Sequence, residues 1–495
     1  MTGEHILRVI DCKSRQLTTV KPGEPYICLS YVWGSGTTQD VRGFGDKLPA
    51  SVPKTVEDAM DVAINLGIPY LWVDRYCIDQ GNAEEKHRII KNMNRVYEQA
   101  EVTIIAAIGD DPHHGLPGVR GTFREKPLIL EIGGVSFVLV ENTPYEINKT
   151  KWSSRAWTYQ EMLLSRRRLV FTKAQMFFQC RKTHCMEIFN PASDWAQSLH
   201  LQCFPSQGIG FSIYDLQARL EEYYMRQLSL DRDTVLAFDG IVNAFDESEY
   251  FPFRVKQFYG VLLFYPDGDN DQARKQFISN LCWYVSGNGY IASDDQGGRN
   301  LFPSWSWAST KASHLQGPLM RAIMPSCLEH NDEIEICLTS KEGREMNLSA
   351  FIENANSHEE FLPSIKMTTW VLQYSFSWTH ERLDEWLDRT HYFEFGPRED
   401  CHTLYLAYLG ANSELTLDLR TEALILDEFR PGVFRRVGLW RSRFEYEIFA
   451  WTTVNDILAR VLEELKRGNY GTLWLPGGEE AISEMKWQRR ALTIA

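Results

Sequence analysis

Glu161 is the single carboxylate in RAWTYQEMLL, residues 155–164, a segment that is otherwise mostly aromatic and apolar. Its spacing reads as a helix. Trp157, four residues earlier, falls on the same helical face as Glu161. An indole beside a carboxylate makes a seat for a ribose carrying a flat ring. The aromatic face stacks the ring, and the carboxylate binds sugar hydroxyls and steadies a developing oxocarbenium ion, as carboxylates do in glycoside cleavage. The structural alternative is that Glu161 pairs with a nearby arginine: Arg155, Arg166 or Arg167. Both readings stay open on the sequence.

A carboxylate of this kind needs a frame. Two earlier segments, YICLSYVWG (residues 26–34) and PYLWVDRYCIDQ (residues 69–80), read as buried strands that break off into polar clusters. Residues 102–107 (VTIIAA) form a third, ending in a loop between Gly109 and Gly115. Ligands of open α/β sheets sit beyond the carboxyl ends of the strands. The candidate lining is therefore Ser30, Tyr31, Trp33 and Gly34 after the first strand, and Asp74, Arg75, Asp79 and Gln80 after the second. Arg155, Trp157 and Glu161 come from the helix. Glycines at 34 and 36 let backbone approach a ligand closely. No GxGxxG or GxxxxGK[ST] follows a strand, so neither a dinucleotide fingerprint nor a P-loop is supported.

Other constellations carry less. Cys77 with His87 has the residue types of a nucleophile and base, but a buried structural cysteine is the preferred reading. Asp74 and Asp79 flank Cys77 without enough further ligands for magnesium. Cys180, His184, Cys185, His200 and Cys203 hold zinc-ligating types without two clean CxxC pairs, so buried cysteines are expected and no metal. His113-His114 reads as a solvated turn.

Strand, helix, strand, helix, strand over residues 26–107 is the pattern of an open parallel sheet with helices on its faces. Thr55, with Asp58 three residues on, resembles a capping box at the start of a helix that Gly67 stops. A second helix is expected over residues 84–100. Residues 127–141 alternate around Gly133-Gly134 and predict a hairpin. Residues 167–180 read as one or two further strands. Residues 212–246 and 252–285 look mainly helical. The chain is strand-rich from about residue 300, with one late amphipathic helix at 453–467 and a tryptophan pair in FPSWSW (302–307) expected to pack a core. The expected organisation is an α/β domain at 1–205, a mainly helical region at 206–300 and a β-rich C-terminal region at 301–495.

The 495 residues are 44% hydrophobic and 24% charged, ordinary for a protein with a full core. The net charge of −14 argues against broad binding to nucleic acid or an anionic membrane. Ten irregularly spaced cysteines point to reduced thiols. MTGEHILRVIDCKSRQ lacks the apolar core of a signal peptide, and no apolar run approaches the ~18 residues of a membrane helix. A cytoplasmic protein without a membrane span is expected.

Several of these blocks occur together in one family. LSYVWG (29–34), TVEDAMDVAINLG (55–67), YLWVDRYCIDQ (70–80), MNRVYEQA (93–100), VTIIAA (102–107), GLPGV (115–119), RAWTYQEMLLSRR (155–167) and FFQC (177–180) resemble, in this order, the heterokaryon incompatibility (HET) domain of fungal self/non-self recognition proteins. FPSWSWAS (302–309) and VFRRVGLW (433–440) resemble the tails of such proteins. Arg75-Tyr76 are bulkier than the family pattern before CIDQ. The resemblance implies a trigger of growth arrest or regulated cell death when unlike cells fuse. It also implies a distant likeness to TIR domains, with a flavodoxin-like parallel sheet. On that likeness RAWTYQEML matches the helix whose glutamate cleaves NAD, so Glu161 is the expected catalytic residue and NAD the expected substrate, with no further cofactor. Self-association and a protein partner from the same pathway are implied as well. The alternative function is a non-enzymatic signalling or oligomerisation module.

Overall fold

The computed structural model describes residues 7–34, 47–139, 142–188, 202–283, 301–309, 331–353, 360–375, 403–413, 418–445, 458, 459, 462 and 486–495. Contacts divide the chain into two compact units, Met1–Ser248 and Glu249–Ala495.

The first unit is built on an eight-stranded sheet. In chain order its elements are β1 (Leu7–Asp11), β2 (Gln16–Val20), β3 (Ile27–Ser30), α1 (Lys54–Asn65), β4 (Tyr70–Trp72), α2 (Asp74–Cys77), α3 (Ala83–Lys91), α4 (Met93–Gln99) and β5 (Val102–Ala106). The hairpin β6 (Ile129–Ile132) and β7 (Val135–Val138) follows, then α5 (Thr143–Asn148), α6 (Lys151–Ser154) and α7 (Ala156–Leu164). β8 (Arg167–Phe171), β9 (Met176–Cys180), β10 (His184–Met186), α8 (Ile213–Tyr224) and α9 (Leu236–Asp246) complete the unit. The spatial order is β10-β9-β8-β5-β3-β4-β1-β2. The four central strands β4, β3, β5 and β8 are parallel. They run in the doubly wound order second, first, third, fourth, which is the flavodoxin-like arrangement. β3 and β5 are buried along their whole length, which explains their unbroken apolar runs.

The sheet is mixed rather than wholly parallel. β1 joins β4 antiparallel on one side, and β9 joins β8 antiparallel on the other. Residues 167–180 form two strands, and the first of them extends the parallel set. The helix expected over 84–100 is broken at Asn92, whose side chain donates to the Arg88 carbonyl at 2.8 Å. That bond replaces the continuing helical pattern, a common behaviour of Asn within helices. Thr55 and Asp58 do not form a capping box: α1 begins after Pro53 without a side-chain cap. Thr55 Oγ1 instead accepts from the Gly115 amide at 3.1 Å, and the buried Asp58 carboxylate accepts from the Leu116 amide at 2.8 Å and the Thr122 hydroxyl at 2.7 Å. The pair pins the GLPGV loop that follows β5. The β6–β7 hairpin turns at Gly133-Gly134, both with positive φ (59° and 79°), as a two-residue turn of right-handed twist requires.

In the second unit residues 252–285 depart from the helical expectation. β11 (Arg254–Phe258) and β12 (Val261–Tyr265) pair through a turn at Tyr259-Gly260, and only then comes α10 (Asn270–Asn280). Burial of all of VLLFY and its pairing with β11 outweigh helix propensity there. β13 (Glu335–Ser340), β14 (Glu345–Asn347), α11 (Leu348–Glu353), β15 (Phe361–Ser375), β16 (Thr403–Ser413), β17 (Asp418–Arg430), β18 (Val433–Glu445) and β19 (Trp487–Ile494) follow. β15 through β19 close into a ring because β19 pairs with both β18 and β15. This is the β-rich region expected from the sequence, built as a barrel. Trp305 stacks on Phe258 (centroids 5.6 Å apart), and the Trp307 indole donates to the Gly260 carbonyl at 2.7 Å, so FPSWSW packs a core as expected. The helix expected at 453–467 lies largely outside the described residues. Among the described residues no helix is long and apolar enough to cross a membrane.

Candidate functional site

The chain leaves β3 at Ser30 and continues through Tyr31, Val32 and Trp33 to Gly34. Gly34 has φ of 76°, and a Cβ there would lie 3.0 Å from Pro112, so the close passage of the two loops requires glycine. β4 ends one residue before Val73, and Asp74 opens the short helix α2. Trp33 bridges the two strand ends: its indole Nε1 donates to both oxygens of Asp74, each at 3.0 Å. The Arg75 amide donates to Asp74 Oδ1 at 2.7 Å. The sequence-derived residues Ser30, Tyr31, Trp33, Gly34 and Asp74 thus share one end of the sheet.

Helix α7 packs against β3 and is flanked by α4, α8 and α9. It places Glu161 against the same strand end. Glu161 is only 5% exposed. Burial and, after it, the neighbouring Asp74 charge lift its carboxyl from the ordinary value to about 7, against the opposing pull of the Ser30 hydroxyl, the Arg155 charge and the Tyr97 hydroxyl. Asp74 is raised to about 6, again chiefly by burial, against the Arg75 amide, the Trp33 indole and the charges of Arg155 and Arg75. Two carboxyl groups that feel each other in a dry place ionise as a pair, the second proton leaving near neutrality.

Ser30 is held from the other side by Trp152, on α6, whose indole donates to Ser30 Oγ at 2.7 Å. The serine keeps its own O–H for the carboxylate. Tyr97, on α4, packs edge to face on Trp72 and raises its own hydroxyl pKa through burial and then the Glu161 charge. Neither Trp152 nor Tyr97 belonged to the sequence-derived set. Tyr97 lies in an amphipathic stripe that reads as core, and Trp152 precedes the helix by four residues, so nothing in their local pattern separates them from packing residues. The Tyr31 hydroxyl is buried and, among the described residues, has no hydrogen-bond partner. It is one of several such buried polar atoms among the described residues, and its place at the strand end leaves it open to a ligand or water.

The arginines do not neutralise Glu161 by pairing. Arg167 bonds to Glu101 at 2.8 Å, and Arg166 donates to the Glu98 carbonyl at 2.6 Å. Arg155 contributes its charge to Tyr31, Asp74 and Glu161 from the N-terminus of α7. Trp157 is half-buried at the start of α7, and its indole helps hold down the Asp233 carboxyl, whose pKa is nonetheless raised, chiefly by burial. The indole is thus engaged with Asp233, a partner that lies far away in sequence. Arg75 is buried. Gln80 donates to the Asp74 carbonyl at 3.4 Å, whereas Asp79 is exposed and accepts from the Gly81 amide at 2.8 Å in a turn of its own.

The competing chemistries find less support. Cys77 is buried, its thiol is pushed up to about 12 by burial, and His87 is exposed on α3, so the two do not form a nucleophile and base. His184 is buried with its ring against Phe177. His200 lies outside the described residues. His114 packs against Gly109, and the His113 amide donates to Asp111, in the loop read as a turn.

Residues 26–161 match the family model described as heterokaryon incompatibility protein (HET). No curated protein and no solved structure matches the chain. The matched stretch runs from the residue before β3 to Glu161 itself, and so contains every strand end and helix that builds the carboxylate pair. The chain carries a HET domain over residues 26–161.

Proposed function

We propose that the HET domain binds a nucleotide at the carboxyl ends of β3 and β4 and cleaves the nicotinamide–ribose bond of NAD. The observation that carries this reading is the Glu161–Asp74 pair, held nearly dry with a pKa near neutrality beside an indole and an unpartnered tyrosine hydroxyl. The leaving nicotinamide is cationic while bonded, so it departs neutral with the bonding electron pair and needs no acid. The ribosyl C1′ is left as an oxocarbenium ion. Ionised Glu161 stabilises that charge, most strongly where water is excluded. A water oxygen then bonds to C1′, and its proton passes to the carboxylate pair and on to solvent. In this reading Tyr31 and Arg155 bind ribose and phosphate oxygens. Regulated cell death would follow from loss of the dinucleotide.

The near-complete burial of Glu161 favours a second reading, in which Trp152, Ser30, Glu161 and Tyr97 form a purely structural network in a signalling module without chemistry. Glu161→Gln separates the two. Nicotinamide release from NAD by the full chain, with thermal unfolding measured in parallel, is expected to fall at least about a hundredfold in a variant that still folds. Unaltered release, or no release by the wild type under conditions where it is folded, would sink the enzymatic reading. Loss of stability alone would support the network.

A further inference from the structure

The β6–β7 hairpin is exposed along its whole length. Its register pairs Ile129 with Val138, Leu130 with Phe137, Glu131 with Ser136 and Ile132 with Val135, and the Leu139 amide extends the ladder to the Leu128 carbonyl at 2.8 Å. Side chains alternate across a strand. One face therefore carries Leu128, Leu130, Ile132, Val135, Phe137 and Leu139, while Ile129, Glu131, Ser136 and Val138 fall on the other. The six apolar residues are 49 to 64% exposed. An isolated two-stranded hairpin is marginal in water unless its apolar face is covered.

We propose that this face is covered by the same face of a second copy, making a four-stranded sandwich between two chains. Two features select a second copy over another occupant. The face holds no charge, so a chain with net charge −14 can meet its copy here without opposing like charges at the contact. Six side chains at about half exposure carry on the order of 600 Å² of accessible surface, about the upper end of what single-chain surfaces leave open, and pairing two faces removes roughly 1,200 Å², the lower end of specific interfaces. The hairpin's outgoing strand leads to α5, whose N-cap is Asn142, and from there to α6 and α7. A clamp on the hairpin therefore lies in the stretch of chain that carries Trp152, Arg155 and Glu161.

The test is sedimentation of the full chain from low to high micromolar concentration, wild type beside the double variant Leu130→Lys, Phe137→Lys. Both positions are exposed in the single chain, so circular dichroism and thermal unfolding at low concentration should match. The expected result is a wild-type monomer–dimer equilibrium whose dissociation constant rises at least tenfold in the variant. A wild type that stays monomeric, or a variant that dimerises as well, overturns the proposal. Oxidative cross-linking sets the geometry: Ile132→Cys should give a covalent dimer faster than Ser136→Cys on the opposite face, and the reverse order overturns face-to-face packing. A monomer that floats with phosphatidylcholine vesicles would also overturn it and give the face to a lipid surface. None of these readouts uses NAD turnover, so the outcome stands apart from the proposed reaction.

Discussion

Asp74 and Glu161 are two carboxyl groups whose ionisation is moved toward neutrality by their surroundings. Their carboxyl groups are raised by burial, and Glu161 is raised further by the charge of its partner. Removing that charge with Asp74→Asn should let Glu161 ionise more easily. The acid limb of kcat/KM for nicotinamide release, expected at about 7, should then move down by roughly one unit. The same shift has a stability consequence. Between the ordinary glutamate value of 4.5 and about 7 the native state holds a proton that the unfolded chain has released. Stability therefore falls as pH rises through that window and levels off above it. Glu161→Gln cannot ionise, so its melting temperature should change less between about pH 5 and about pH 8 than that of the wild type. An equal slope in both proteins would mean that Glu161 is not the group concerned. Trp152→Phe removes the donor to Ser30 and should cost about 1–3 kcal/mol in denaturant unfolding, because a buried hydroxyl loses a partner.

At the scale of elements, strand ends and one helix build the site, and loops are pinned to hold them. Asp58 accepts from Leu116 and Thr122, receives an ion pair from Lys54, and so ties the loop after β5 to α1. Asp58→Ala should leave these donors unmet, cost roughly 2–4 kcal/mol and open residues 115–122 to limited proteolysis. Unchanged protease resistance would argue against this tie. The short polar pattern Thr55–Asp58 was readable in sequence, but its purpose was not. A side chain at the start of a helix can serve the helix's own amides or a loop brought to it by the fold, and only the fold chooses. Asn92 shows the same ambiguity: the apolar stripe continues across it from Ile89 to Val96, and a local side-chain bond still ends one helix and starts another.

On the scale of the whole molecule, the two units each bury their own apolar cluster. In the second unit the guanidinium of the buried Arg436 lies over the Trp283 ring at 3.9 Å and donates to the Leu281 and Trp283 carbonyls at the end of α10, tying the barrel to that helix. Separate cores predict separate folding. The fragment 1–248 should unfold cooperatively by itself, with a denaturant dependence about half that expected for the full chain, since that slope follows the surface exposed. A fragment that melts without a cooperative transition would show that the second unit supplies part of its stability.

The amino-acid sequence by itself determined the central frame. β3 and β5 are buried on both faces, so their strands had to be continuous apolar runs, and the polar residues that follow had to lie at their carboxyl ends. The strand–helix alternation then dictated the parallel sheet, and the ordered blocks from LSYVWG to RAWTYQEML marked the HET domain. Ser30, Trp33, Asp74 and Glu161 were legible for that reason. Only the tertiary structure decided which of them meet. Trp152 reaches Ser30 from a short helix, and Tyr97 reaches Glu161 from a stripe that looks like ordinary core. Trp157 turns to Asp233, and Asp79 turns to solvent. The neutral-range ionisation of Glu161 belongs to no local motif, because it arises from burial and from a second carboxylate that is distant in sequence. The antiparallel edges β1, β2, β9 and β10 and the bare hairpin face were also settled by packing. Alternation says that one face of a strand is apolar; whether anything covers that face depends on where the rest of the chain runs.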